Sequence, residues 1–171
     1  LGEPVGKTLK PPPGATFAGV MIGEHSSQFL LASDSGYGFV ATLEDLLTRN
    51  KSGKSALTVR AGGVLPPQRI FEYEDDWVAA ITDTGRLLIF ALAELPQLNR
   101  GKGVKLINIP AAHHKAGDEK LQSVAVFREG DSLRLFAGKQ HMRLKPKDID
   151  TFVGTRAQRG RALPRGYKRA T

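Results

Sequence analysis

Three short loops in this chain combine cations with glycine. The first carries Arg49, Lys51 and Lys54 around Gly53; the second carries Arg100, Lys102 and Lys105 around Gly101 and Gly103. The third carries Arg156, Arg159 and Arg161 around Gly160, with Arg165 close behind. Lysine and arginine supply positive charge, and a neighbouring glycine lets backbone N–H groups approach an anion closely. One such loop reads as an ordinary solvated surface. Three at the same place in a repeat read as a row of cations, and a row of cations suits a charged rod.

Other chemistry finds little support. His113-His114 is the one histidine pair, in the polar stretch HHKAGDEK with Asp118 and Glu119. Adjacent imidazoles there read as solvated rather than as metal ligands. Tyr37, between two glycines, has no activating partner in the sequence. GKGVK and SGKS resemble parts of a phosphate-binding loop, but GxxxxGK[ST] fails because Thr48 takes the place of the first glycine. No nucleophile–base set or dinucleotide fingerprint is present, so no catalysis, cofactor, metal or small-molecule substrate is expected of this chain. Glu72, Glu74, Asp75 and Asp76 read most simply as a solvated strand end; the alternative is an acidic edge that repels a polyanion.

Charge is unevenly distributed. The net charge is +8. Residues 1–138 carry 15 basic and 15 acidic side chains, whereas residues 139–171 carry 10 basic and 2 acidic. The whole excess lies in the last fifth of the chain, which attracts polyanions, nucleic acid first and anionic membrane second. For residues 165–171 the alternative is a solvated tail. There is no cysteine, which excludes disulfides and thiolate metal sites and suits a reducing cytoplasm. No apolar run reaches the ~20 residues of a membrane span, and no signal peptide is visible at the start.

The elements that must position the loops come from a repeat. FLLASDSGYGFVATLEDL (29–46) lies over VAAITDTGRLLIFALAEL (78–95), with Asp34 on Asp83, Gly36 on Gly85 and Leu46 on Leu95. A weaker third copy begins at Asp131 with SLRLFAGKQHMRLKPKDI. A period near 50 residues signals a propeller or similar array, in which one unit cannot bury its own face. Apolar runs at 17–22, 28–33, 37–43, 76–82, 86–91, 104–109, 121–127 and 132–137 are expected as strands. Gly36 and Gly85 supply the φ > 0 position of hairpin turns, and 44–47 and 93–95 form single helical turns. The expected division is a tail of a preceding blade over 1–16, then blades over about 17–67, 68–119 and 120–171, together a piece of a longer array.

LLASDSGYGFVATLEDLLTRNKSGK and ITDTGRLLIFALAELPQLNRGKGVKLINIP resemble the C-terminal domain of the bacterial topoisomerase IV A subunit (ParC), from about Gly14 to Tyr167. The resemblance implies an all-β fold, a β-pinwheel of four-stranded antiparallel blades. About three blades fit within this chain. It also implies a domain that binds and bends duplex DNA and presents the transported segment to a catalytic core elsewhere. In that family the domain helps the enzyme distinguish positive from negative supercoils. The ATP and Mg2+ chemistry belongs to the rest of an A2B2 holoenzyme with the B subunit (ParE), and the cleavage tyrosine to the N-terminal part of ParC. The sister family, the gyrase A C-terminal domain, carries a glycine-arginine box for tight wrapping. Only Gln158-Arg159-Gly160-Arg161 keeps part of it.

The expectation is therefore a non-catalytic, duplex-DNA-binding domain of a bacterial, cytoplasmic, nucleoid-associated type II topoisomerase. No aromatic lies inside the three loops, Tyr167 in the basic tail being the nearest, which disfavours single-strand stacking; no helix suits a major groove. Loops that neutralise roughly 6–9 phosphates would give a slope of log K against log salt of about −5 to −8. The alternatives are a docking module for a protein such as a condensin, through 72–76 or 113–120, and a gyrase-type wrapping domain.

Overall fold

The computed structural model describes residues 13–50, 53–59, 62–137 and 139–164. Its repeated part is a β-hairpin. Strand β1 (Gln28–Ala32) turns into β2 (Tyr37–Thr42), and β4 (Trp77–Thr82) turns into β5 (Arg86–Ala91). Both turns depend on glycine, since Gly36 and Gly85 sit at φ +88° and +84°, where a Cβ is disfavoured. Each donates its N–H back across the turn, Gly36 to Ser33 O and Gly85 to Thr82 O. A hydroxyl pair closes each corner: Ser33 Oγ with Ser35 Oγ at 2.8 Å, Thr82 Oγ1 with Thr84 Oγ1 at 2.9 Å.

Each hairpin is widened to four strands. One sheet has the order β3-β1-β2-β6, with β3 Gln68–Ile70 and β6 Val104–Lys105. The other has the order β10-β5-β4-β7, with β7 Leu121–Phe127 and β10 Arg161–Ala162. A third hairpin, β8 (Leu133–Ala137) with β9 (Gln140–Leu144), is two-stranded among the described residues. Strands β6 and β10 close the sheet of the unit before their own, so the sequence units and the sheets are offset. A unit cannot be removed without opening its neighbour's edge.

Pleating decides what each residue faces. Leu30 pairs with Val40, and both point into a core shared with Val78, Ala80, Leu88 and Phe90 of the second sheet. The alternate residues Ala79, Ile81, Leu87 and Ile89 turn to a second core with Leu135, Leu144 and Ile149 of the third hairpin and its helix. With both faces covered, the strands read as continuous apolar runs rather than alternating ones. Full burial of each large side chain contributes about 1.5–3 kcal/mol. Leu31, Phe39 and Ala41 form a smaller cluster on the far side of the first sheet.

Helices are short: α1 (Leu43–Leu46), capped by the Thr42 hydroxyl accepting from Asp45 N, α2 (Ala111–Ala116) and α3 (Pro146–Asp150), plus a 3-10 turn at Leu92–Glu94. Two expectations fail. Residues 17–22 form no strand, and Phe17, Val20 and Ile22 are exposed. The 104–109 run is a strand only at Val104–Lys105, because Leu106 and Ile107 leave the ladder to fill the core.

Candidate nucleic-acid interface

Backbone hydrogen bonds hold the basic loops in register. Thr58 N donates to Gly101 O and Gly101 N to Ala56 O, joining the first loop's exit to the second loop at 2.8 Å each way. One unit along, Ala157 N donates to Leu106 O and Asn108 N to Gln158 O, joining the second loop's exit to the third. The second and third loops each carry the closing strand of the sheet before them, and these hydrogen bonds join each loop to the next. Strand β6 pairs Val104 with Gly38 and Lys105 with Tyr37; β10 pairs Arg161 with Leu87 and Ala162 with Arg86.

This pairing fixes which residues correspond. Leu106 N donates to Gly36 O, and Leu163 N to Gly85 O, both at 2.7 Å. Gly103 and Gly160 hold the same place, at φ +81° and +74°. A Cβ on Gly103 would overlap the Gly38 carbonyl, and one on Gly160 would come within 2.8 Å of Leu87 O. These glycines therefore serve close approach of the loop to the sheet edge. Lys102 then corresponds to Arg159, Val104 to Arg161 and Lys105 to Ala162, a register the sequence match alone does not reveal.

The side chains divide into two groups. Arg49, Arg100 and Arg161 are exposed, with no side-chain partner among the described residues. Lys54 is exposed and its Nζ donates to Asp45 O. Lys102 Nζ sits 3.8 Å from the centroid of the Tyr37 ring, and Lys105 Nζ donates to Asn108 Oδ1 at 3.2 Å. Neither lysine touches a carboxylate. Arg156, by contrast, reaches inward: Nη1 donates to Lys105 O at 2.8 Å, and its own N–H donates to Glu94 Oε1. Arg159 is more committed still. Its Nη1 donates to both Glu119 oxygens, at 3.0 and 2.9 Å, and to Asn108 O at 2.6 Å. Glu119 is 3% exposed at its side chain, so this pair ties the third loop to the body of the second unit. Lys51 and Arg165 lie outside the described residues.

Sequence reasoning missed the partners. Tyr37 is the floor under Lys102, and Asn108 the hinge between Lys105 and Arg159. The histidine pair lies on α2 rather than in a loop: His113 is exposed, as expected, whereas His114 is half-buried with Nε2 2.9 Å from Asp34 Oδ1. Asp34 Oδ2 also accepts from Gly63 N. Nor is Asp76 solvated: it is 1% exposed and accepts from the N–H groups of Phe71 and Glu72, whereas Glu72, Glu74 and Asp75 are exposed. No local pattern marks the longest of these contacts, because Arg159 lies 40 positions from Glu119 and 51 from Asn108, and His114 lies 80 from Asp34.

Stacked antiparallel sheets, each closed by a strand from the next unit, define a propeller-type repeat domain, as the pinwheel expectation requires. The family described as DNA gyrase C-terminal domain, beta-propeller, matches residues 27–65 and 76–128. The chain belongs to that family. It is 44% identical over 169 residues to the A subunit of DNA topoisomerase 4 from Pseudomonas aeruginosa, and 39% identical over 168 residues to that of Escherichia coli K12. In both cases the match covers 98% of the chain and 22% of the relative, so the chain spans about a fifth of the relatives' length. The solved E. coli ParC C-terminal domain superposes with a TM-score of 0.89 at 38% identity, covering 99% of this chain and 69% of that one. A gyrase A C-terminal domain shares the fold, with a TM-score of 0.66 at 16% identity over 86% of this chain and 48% of that one. The resemblance to the topoisomerase IV ParC domain read from the sequence stands.

Proposed function

We propose that this chain is a non-catalytic duplex-DNA-binding and bending domain. It would hold the transported segment for ATP-dependent strand passage, decatenation and supercoil relaxation by a bacterial type II topoisomerase. The observation that carries the reading is the stacking of the loops. Equivalent cationic turns, hydrogen-bonded one to the next, make a continuous edge with Arg49, Lys54, Arg100, Lys102, Lys105 and Arg161 along it. Such charges contact phosphates and position a duplex without reading its sequence. A duplex that follows a curved edge bends, and the cost favours deformable sites. Arg156 and Arg159 contribute by fixing the third loop rather than by meeting phosphate.

The partners that follow are double-stranded DNA, the rest of the ParC polypeptide, and ParE in an A2B2 enzyme. ATP and Mg2+ are used there and not in this chain. The setting is the bacterial nucleoid. A condensin-docking role is the alternative partner reading. Gel retardation of linear duplex DNA by the full-length protein tests the proposal. Charge reversal at Lys102, Lys105 and Arg161 weakens retardation and reduces its salt dependence if the edge binds DNA, and leaves both unchanged if the domain is a protein-docking module.

A further inference from the structure

The two sheets have equivalent corners with opposite chemistry. At the second sheet the Thr84 hydroxyl donates to Glu119 at 3.2 Å and Arg159 donates to the same carboxylate. An anion from the protein itself thus occupies that corner. At the first sheet Ser35 stands for Thr84 and Lys102 for Arg159. The position of Glu119 falls to Gly62: Asp34 N donates to Gly63 O as Asp83 N donates to Lys120 O. Gly62 is at φ +94°, and a Cβ there would meet the Asp34 carboxylate within 2.7 Å, so no acidic side chain fits. What remains is an open cavity of about 220 Å3, lined by Ser35, Tyr37, Thr58, Lys102, Lys105 and His114 among others. Lys102 and Lys105 line it, Lys105 with its Nζ donating to Asn108 Oδ1, and no carboxylate is in the lining. The one acid nearby, Asp34, is held by His114 and by Gly63 N.

We propose that this cavity is a seat for one phosphate group, which takes the place that the Glu119 carboxylate fills at the second sheet. The inference rests on the DNA-binding reading for its main source of phosphate, a backbone phosphodiester; a free phosphate offers the same chemistry. Several features fit a tetrahedral oxyanion. The two lysines supply charge-assisted hydrogen bonds, which are about twice as strong as neutral ones. Hydroxyls of Ser35, Tyr37 and Thr58 offer further donors. Tyr37 holds the Lys102 ammonium over its ring, 3.8 Å from the centroid, so the charge is already placed at the wall. The volume exceeds that of several waters at ~30 Å3 each, leaving room for a phosphate and its hydration. The cavity therefore acts as a pawl on the cationic edge, fixing the duplex in register where the remaining loops only attract it.

The test uses the full-length protein and two probes. Inorganic phosphate is titrated by calorimetry, and a short duplex by fluorescence anisotropy. Lys102→Met is expected to weaken phosphate binding about tenfold, the loss of one charge-assisted contact; Lys102→Arg restores most of it. Tyr37→Phe with Thr58→Val removes two hydroxyls and no charge, and is expected to weaken both phosphate and duplex binding at least threefold. Arg134→Met with Arg143→Met removes two charges far from the cavity and leaves phosphate binding unchanged. If the duplex binds but is indifferent to the uncharged double variant, and phosphate finds no site, the seat is overturned while the DNA reading stands. If phosphate binds and responds to the variants while the wild type binds no duplex, the seat is upheld for free phosphate and the DNA reading fails.

Discussion

The corner at Lys102 and the corner at Arg159 come from the same position in the repeat, yet one is open and the other closed. At the second sheet a buried carboxylate, Glu119, takes the arginine's charge and the Thr84 hydroxyl. At the first, glycine replaces that acid and two lysines line an open cavity. A cation count would score the third loop as the stronger site, since the net charge is concentrated there. We rank them the other way, because a charge that is already paired inside the protein, as Arg159 is with Glu119, has little left for a phosphate. What distinguishes a binding loop from a bracing loop is the partner, not the density of arginine.

The comparison can be broken in several ways. The largest effect is expected at the equivalent glycines. Gly103→Ala would overlap the Gly38 carbonyl in a left-handed conformation and detach β6 from the first sheet. It should cost about 3–4 kcal/mol, more than Gly160→Ala at about 2 kcal/mol, as measured by urea unfolding. Next comes the brace. Arg159→Met takes the arginine from buried Glu119 and leaves it the Thr84 hydroxyl and His113 Nδ1 at 3.9 Å, at roughly 2–4 kcal/mol, below the cost of breaking a fully buried pair because Arg159 is partly exposed. Denaturation midpoints read this, and duplex affinity of the folded protein should change by less than about twofold.

Charge reversal at the open corner acts the other way. Lys102→Glu with Lys105→Glu should weaken duplex binding about thirtyfold or more and flatten its salt dependence by about two charges' worth, with stability nearly unchanged. Anisotropy at several salt concentrations checks it. The smallest effect belongs to the exposed edge. Arg100→Ala and Arg161→Ala should each weaken binding about two- to threefold, uniformly across sequences, and reduce the salt slope by about one. If Arg159→Met harmed DNA binding more than Lys102→Glu with Lys105→Glu, the division into open and closed corners would be wrong.

Much of the scaffold could be read without coordinates, for definite reasons. Asp34-Ser35-Gly36 and Asp83-Thr84-Gly85 announce hairpins because only glycine sits easily at φ +88° or +84°. The apolar runs around them announce strands because both faces are buried. Strands β3 and β10 could not be read, being two or three residues long and set by a partner sheet rather than by their own pattern, and β6 reads too long, as 104–109, because Leu106 and Ile107 are apolar for the core and not for the ladder. Residues 17–22 misled for the converse reason: an apolar run alone makes no strand, and this one pairs with no strand among the described residues. At the site, the cations were visible by type and spacing, and so was their recurrence. Their partners were not, because Tyr37, Asn108 and Glu119 reach them only after β6 and β10 have crossed to the preceding sheet. The role of Gly62 as an absent acid shows only when the two sheets are laid over each other.

The central claim is that stacked cationic loops form one phosphate-binding edge, and salt dependence reads it directly. The association constant of the protein for linear duplex DNA, measured between low and physiological salt, should fall with a log–log slope of about −5. That value corresponds to the six cations placed along the edge (Arg49, Lys54, Arg100, Lys102, Lys105 and Arg161), at about −0.9 per phosphate. A slope shallower than about −2, or one that Lys102→Glu with Lys105→Glu leaves unchanged, would contradict the account.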